Sequence, residues 1–282
     1  MLFSIILATL NRSVEIEMCL QSLENQIEKN FEIIIVDQSN DDKTRNVAEK
    51  YEKLIIKYYN VPFKGLSKAR NYGIKHATGS YLCLIDDDAI YSENYLLEAK
   101  KAIYKHGEIV VSGKILNIED RTTPFVKYDS KMNDKPLTVK GIVNFCPSAA
   151  LVIPASAVSK IGYFNERLGV GNRFAAGEET DYLLRVFDSG YKIYFCEKMI
   201  AYHPIKPVVS LKPVYKHYMG KGALFKIDFC SRKRHRLCGL ALRNTIGMLL
   251  KAYILDRKNM GLYIARKNGF IEGFNGFREG DK

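Results

Sequence analysis

The stretch GSYLCLIDDDAIY, Gly79–Tyr91, runs an apolar segment from Tyr81 to Ile85 straight into three consecutive aspartates, Asp86, Asp87 and Asp88. Mutual repulsion among three carboxylates opposes folding, so the sequence predicts a positive partner at this point. Alternate side chains of a strand share a face, which predicts Asp86 and Asp88 together and Asp87 apart. The C-terminal end of a buried parallel strand is where open α/β sheets hold ligands. Hard oxygen donors there suit Mg2+ or Mn2+, shared with phosphate groups because two carboxylates leave most coordination positions open. A nucleoside diphosphate derivative fits such a site. From the three aspartates alone, an acidic turn capping a helix that starts at Ser92 fits as well.

Outward from this strand, short apolar runs alternate with helical patterns. SIILAT (Ser4–Thr9) precedes a helical pattern near Ser13 to Ile27, where Ile16, Cys19, Leu20, Leu23 and Ile27 recur on one face. EIIIVD (Glu32–Asp37) is a continuous apolar run of the kind buried on both faces of a parallel sheet. LIIKYYN predicts a further strand, Lys68 to Ala77 a helix, and Ser92 to Tyr104 a helix with Tyr95, Leu96, Ala99, Ala102 and Ile103 along one side. The fold class is therefore α/β, with a doubly wound, mostly parallel, Rossmann-like sheet flanked by helices. After Ile109 come IVVSGKIL, the polar stretch NIEDRTTPFVKYDSKMNDKP, and IVNFCPSAALVIP. A polar stretch of that length suits a binding loop with acceptor or lid functions. GEETDYLLRVFDSG, between Gly177 and Gly190, predicts a helix, YKIYF a strand, and the remainder from about Pro204 basic helices.

Composition narrows the class. The 282 residues are 47% hydrophobic and 26% charged, enough to bury a substantial core. The first residues, MLFSIILATLNR, lack basic residues before the apolar run and a small-residue cleavage site after it, so a buried first strand is expected rather than a signal peptide. Six cysteines show no metal-ligand spacing, which suits a reducing cytoplasm. The net charge of +12 is concentrated late, in KPVYKHYMGKG, SRKRHR and ARKNG, facing anionic lipid, nucleic acid or water. The segment Cys238 to Leu255 is interrupted by Arg243 and Lys251 and suits lying on a membrane rather than crossing it.

The order of the motifs resembles family 2 of the GT-A-fold glycosyltransferases over most of Phe3 to His203. SIILATLNR and EIIIVDQSNDD are similar to that family's first strand with the start of its helix, and to a second strand ending in a base-contacting aspartate. GLSKARNYGIKHATGSYLCLIDDDA is similar to its Gly-x-x-x-Ala-Arg-Asn-x-Gly helix followed by the strand and Asp-x-Asp motif. GYFNERL and GEETDYLLRVFDSGYKIYF resemble its acceptor-side stretch and following helix. The resemblance implies a GT-A catalytic domain over residues 1–203, with a nucleotide-sugar-binding half (1–110) and an acceptor-binding half (111–203), and a basic helical extension over 204–282.

It further implies a metal-dependent, inverting glycosyltransferase of hexosyltransferase type. The donor would be a UDP- or dTDP-sugar, the acceptor a hydroxyl of a growing bacterial-type surface glycan or lipid-linked glycan, and the cofactor Mn2+ or Mg2+. Thr9, Asn11, Arg12, Asp37, Arg70, Asn71, Asp86 and Asp87 are the nucleotide-sugar-binding candidates, and Asp88, Asp86 and His203 the metal candidates. Asp37 suits the imide N–H of uracil or thymine, or a cap for the Asn40–Asp42 turn. Arg70 suits a phosphate through its planar fork. The remaining histidines, His76, His106, His217 and His235, have no comparable context.

An inverting transfer needs a carboxylate to take the acceptor proton, and Glu178 and Glu179 are the candidates. The family usually has Asp where Glu179 stands, which moves the oxygen by about 1.5 Å. Asp181 and Arg185 suit an i,i+4 pair. Two alternatives stay open: a nucleic-acid-binding or polymerase-like nucleotidyltransferase, against which no nucleic-acid module is recognisable, and a catalytically inactive glycan-binding relative. The expected location is cytoplasmic, with the segment from Lys212 to Leu255 peripheral on the inner face of the plasma membrane through anionic lipid, and no nucleic-acid partner.

Overall fold

The computed structural model describes residues 1–205, 209–231 and 259–278. The apolar runs form strands β1 (Phe3–Thr9), β2 (Phe31–Asp37), β3 (Ile56–Asn60) and β4 (Tyr81–Asp86), connected by helices α1 (Ser13–Glu24), α2 (Lys43–Ala48) and α3 (Leu66–Lys75). Then follow β5 (Ile90–Tyr91), α4 (Tyr95–His106), β6 (Val110–Asn117), α5 (Val139–Phe145), β7 (Leu151–Pro154), α6 (Ala155–Ile161), α7 (Glu178–Asp188), β8 (Ile193–His203), α8 (Leu211–Ser231) and α9 (Met260–Gly276).

The described residues divide into two compact units, Met1–Phe164 with Tyr182–Ile205, and Asn165–Asp181 with Lys206–Lys282. The first holds one sheet in the order β3-β2-β1-β4-β7-β6-β8-β5. Every residue of β1 and β2 is buried, as a continuous apolar run covered on both faces requires. The β2–β3, β1–β2, β1–β4 and β6–β8 pairings are parallel, whereas β7 is antiparallel to both neighbours and β5 is antiparallel to β8.

Glycines let neighbouring elements approach closely. A methyl group on Gly73 of α3 would lie 2.8 Å from Ile6 Cγ2, so this helix sits directly on the central strands. At Gly113, where the β6–β8 register shifts, a methyl would run into the Met199 carbonyl. In the second unit α8 and α9 touch backbone to backbone, since side chains at Gly222, Gly269 and Gly273 would collide with the Phe270, Tyr215 and Met219 backbones. Leu168, Phe174, Met219, Ala223, Ile227 and Phe277 form its apolar cluster. Among the described residues no helix is long and apolar enough to cross a membrane. The segment Cys238 to Leu255 and nearly all of SRKRHR lie outside the described residues.

One buried charge ties the start of the sheet together. Glu32, in β2 and 3% exposed, accepts hydrogen bonds from Ser4 Oγ at 2.6 Å and from the Thr78 amide and hydroxyl at 2.7 and 2.8 Å, and pairs with Lys57 Nζ at 2.7 Å. Burial works against its charge, but Lys57 and these donors outweigh it and bring the carboxyl down to about 2. A depressed carboxyl contributes stability that is complete above its unfolded value, about 4.3, and is lost as pH falls toward the folded value. Denaturant midpoints measured from pH 6 down to pH 2 should therefore fall more steeply in the native protein than in Glu32→Gln, which should begin lower at pH 6. Parallel curves would contradict this role.

Candidate active site

The parallel register brings four strand ends to one line: Thr9 lies opposite Asp37, Ala8 opposite Asp86, and Asp37 opposite Asn60. The chain leaves β1 toward β2 on one side and returns to β4 on the other, so the crevice between β1 and β4 is a topological switch point. The candidate residues cluster at these ends because strand length and register put them there.

The aspartates do not continue the alternation of the strand. β4 ends at Asp86, and the Ala89 amide donates to the Asp86 carbonyl at 3.0 Å, closing a turn through Asp87 and Asp88. The expectation that Asp86 and Asp88 share a strand face, with Asp87 apart, is thereby corrected. Asp87 and Asp88 meet instead on Arg12, whose Nη1 donates to Asp87 Oδ1 at 2.8 Å and Asp88 Oδ2 at 3.0 Å. Thr9 Oγ1 donates to Asp87 Oδ2 at 2.9 Å. Burial raises the Asp87 carboxyl above its ordinary value despite the opposing pull of Arg12 and Thr9.

Asp86 turns to other partners. Its Oδ1 accepts from Arg70 Nη2 at 2.7 Å, and Ser148 Oγ donates to Oδ2 at 3.3 Å. Arg70 is only 1% exposed, on the buried face of α3, with its guanidinium 6.0 Å from the Phe164 ring centroid. Asn71 holds that ring in place: Nδ2 donates to the Phe164 carbonyl at 2.9 Å, and Oδ1 accepts from the Phe164 amide at 2.8 Å. Phe164 also stacks on Tyr182, centroids 4.3 Å apart.

Asp37 is wholly buried. Its Oδ1 accepts from the Ser39 amide at 2.8 Å, the turn-capping arrangement, and its Oδ2 accepts from Tyr58 Oη at 2.6 Å. Ser39 Oγ accepts from the Asn11 amide at 2.8 Å, and Asn60 Nδ2 donates to the Ser39 carbonyl at 2.9 Å. Asn11 has φ 55°, a left-handed conformation that asparagine tolerates better than most residues.

His203 reaches this edge because β5 pairs with the end of β8 immediately after the aspartates, Ile90 opposite Tyr202. Its Nε2 lies 3.0 Å from Asp88 Oδ1 and its Nδ1 2.9 Å from the Pro204 carbonyl oxygen. Burial lowers its basicity, but the hydrogen bond and charge of Asp88 more than reverse this, and the net shift is upward. An Nδ1–H given to a backbone carbonyl leaves Nε2 as the ligating nitrogen, the usual support of a metal-bound histidine. Asp88 and His203 are chemically suited to hold a divalent cation. Among the described residues no group of three or more His, Cys, Asp or Glu side chains is placed to hold a cation alone.

Glu178 and Glu179 open α7 in the second unit, Glu178 buried and Glu179 half-buried. Further along that helix, Arg185 donates to the Ile161 and Tyr163 carbonyls at 2.9 and 2.8 Å, tying α7 to the end of α6. Sequence reasoning missed Ser148, Tyr58, Ser39 and Phe164. Ser39 and Phe164 stood inside the stretches EIIIVDQSNDD and GYFNERL, and Tyr58 stood two residues before Asn60 in a strand that the sequence predicted.

The family model described as Glycosyl transferase family 2 matches residues 4–166. Glycosyltransferase AglE of Haloferax volcanii is 25% identical over 256 residues, covering 88% of this chain and 81% of that protein. The poly(ribitol-phosphate) beta-N-acetylglucosaminyltransferase TarS of Staphylococcus aureus is 31% identical over 129 residues, 44% of this chain but 22% of TarS. Among solved structures, S. aureus TarS 1-349 in complex with UDP-GlcNAc is similar with a TM-score of 0.63 and 19% identity, over 97% of this chain and 82% of that one. The mannosyltransferase PcManGT from Pyrobaculum calidifontis, in complex with GDP-Man and Mn2+, has a TM-score of 0.70 and 15% identity, over 96% of this chain and 86% of that one. The fold is the GT-A fold.

The Asn71 clamp yields a test. Asn71→Ala would leave the Phe164 amide and carbonyl without these partners, and a buried group so stranded costs about 1–3 kcal/mol. Urea denaturation should show a loss of about 2 kcal/mol. Wild-type stability in Asn71→Ala would refute the clamp.

Proposed function

This chain belongs to glycosyl transferase family 2 and is a glycosyltransferase; from that premise we propose that it moves a sugar, with inversion, from a UDP- or dTDP-sugar to a hydroxyl of a growing bacterial-type surface glycan. The observation that carries the reading is the meeting of Arg12 and His203 on Asp88 at the C-terminal edge of β4, with His203 Nδ1 backed by a backbone carbonyl. Family membership favours this reading over the nucleic-acid alternative.

The roles follow from the chemistry. Asp37, an acceptor held at both oxygens, takes the imide N–H of the base. Thr9, Asn11 and Arg12 line the nucleotide at the end of β1, and Arg12 offers its guanidinium to phosphate. Arg70, supported through Asn71, aims Asp86 at the ribose or donor sugar, and Asp87 fixes Arg12 and Thr9. Asp88 and His203 would hold Mn2+ or Mg2+, which when bound would supply Lewis-acid charge to the diphosphate leaving group. The acceptor hydroxyl oxygen forms a bond to the anomeric carbon, the anomeric C–O bond to the diphosphate breaks, and the nucleoside diphosphate leaves with the electron pair. The hydroxyl proton passes to Glu179 or, if Glu179 is misplaced by its extra methylene, to Glu178. Catalysis belongs to residues 1–203, with 204–282 as an extension.

Donor binding and turnover should separate by residue. Asp88→Asn should abolish Mn2+-dependent nucleoside diphosphate binding in calorimetry while leaving the fold intact. Glu179→Gln should retain donor affinity but slow single-turnover transfer by roughly a hundredfold or more, with Glu179→Asp milder. Unchanged metal dependence in the first variant overturns the cation assignment. Loss of transfer only in Glu178→Gln moves the base to Glu178, and no transfer or donor hydrolysis by the native protein would make it a binding-only relative.

Peripheral attachment is the remaining part of the proposal. Val209 and Leu211 are exposed beside exposed Lys212 and Lys216, an apolar and basic combination suited to anionic lipid. Co-sedimentation with phosphatidylserine vesicles should exceed that with neutral vesicles and fall with added salt. Indifference to both would contradict attachment.

A further inference from the structure

Reading Asp37 as the anchor of the base leaves Tyr58 without a role. We infer that Tyr58 is a positioning residue for base recognition, fixing the orientation of the Asp37 carboxylate on which recognition of the base depends. The inference rests on the Asp37 reading.

An ionised carboxylate has about four acceptor positions, and here the protein fills one on each oxygen. The Ser39 amide takes Oδ1 at 2.8 Å and the Tyr58 phenol takes Oδ2 at 2.6 Å. The terminal torsion of an aspartate is soft, so one contact from its own turn leaves the group free to swing. Tyr58 supplies the second contact from another strand, β3, whose register on β2 places Tyr58 opposite Ile35 and Asn60 opposite Asp37.

The phenol itself is held. The Arg45 guanidinium lies 5.2 Å from its ring centroid, within cation–π range. Asn60 Nδ2 bonds to the Ser39 carbonyl at 2.9 Å, and the Val61 amide to the Asp37 carbonyl at 2.8 Å, so β3 is fastened to the same turn. Burial, and next the hydrogen bond to Asp37, push the phenol well above its ordinary range, so it remains a donor. Donor and acceptor roles follow: with the phenol donating, the oxygens of Asp37 receive, and a ligand must bring an N–H or O–H donor. The imide of uracil or thymine does so.

The test is a double-mutant cycle with two probes. UDP with Mn2+ carries the base; inorganic pyrophosphate with Mn2+ lacks it. Both are titrated calorimetrically into the native protein, Tyr58→Phe, Asp37→Asn and the double variant. Tyr58→Phe should weaken UDP binding about tenfold, as the loss of one hydrogen bond to a charged group implies, and leave pyrophosphate unchanged. Asp37→Asn should lose at least as much, and the double variant no more than Asp37→Asn alone. Native UDP affinity in Tyr58→Phe beside a loss in Asp37→Asn overturns the inference and spares the Asp37 reading. Equal losses for both probes mean a general structural role and overturn it too, as do multiplicative losses in the double variant. If Asp37→Asn binds UDP like the native protein, the Asp37 reading falls and takes the inference with it.

Discussion

The parallel register of β2, β1 and β4 is the constraint on which the rest depends. Because Thr9 stands opposite Asp37 and Ala8 opposite Asp86, the polar ends of three buried strands stop at one edge. A slip of one residue in β1 would part Ser4 from the Glu32 carboxylate and carry Thr9 and Arg12 out of line. The complete burial of β1 and β2 makes such a slip costly. The core therefore sets the geometry of the polar edge.

At that edge the protein gathers charges that oppose folding. Asp86, Asp87 and Asp88 are offset by Arg70, Arg12 and His203, drawn from α3, the start of α1 and the end of β8. Buried ion pairs add little net stability, because desolvation consumes most of the attraction. The upward shift of Asp87 shows that its charge is not fully compensated. Perturbed titration of this kind is common where function is concentrated, which supports the proposed ligand role of this edge.

Much of this was legible in the sequence, and the exceptions have physical causes. Continuous apolar runs such as Ile33–Val36 declared themselves as buried parallel strands, helical spacing found α1 and α4, and the bounding glycines Gly177 and Gly190 found α7. The divergence of the three aspartates was not legible, because β4 stops at Asp86. After that stop the chain turns and pairs Ile90 with Tyr202, a contact between remote parts of the chain. The burial of Arg70 was hidden too, since helical spacing does not say which face a neighbouring segment will cover. Ser148 reaches the site from a stretch that carried no motif, and Phe164 from GYFNERL, whose resemblance pointed to the acceptor side rather than to Arg70. Tyr58 was within reach: once β3 is paired with β2, alternation puts it on the side of Asn60.

The central claim is that this edge holds a divalent cation between Asp88, His203 and the diphosphate of a nucleotide. Pulsed electron paramagnetic resonance of Mn2+ bound with UDP tests it most directly, because nuclei of ligands couple to the metal spin. The account predicts a nitrogen coupling from one imidazole that vanishes in His203→Gln, together with phosphorus couplings from UDP. Mn2+ showing neither coupling, or a nitrogen coupling that survives in His203→Gln, would contradict it.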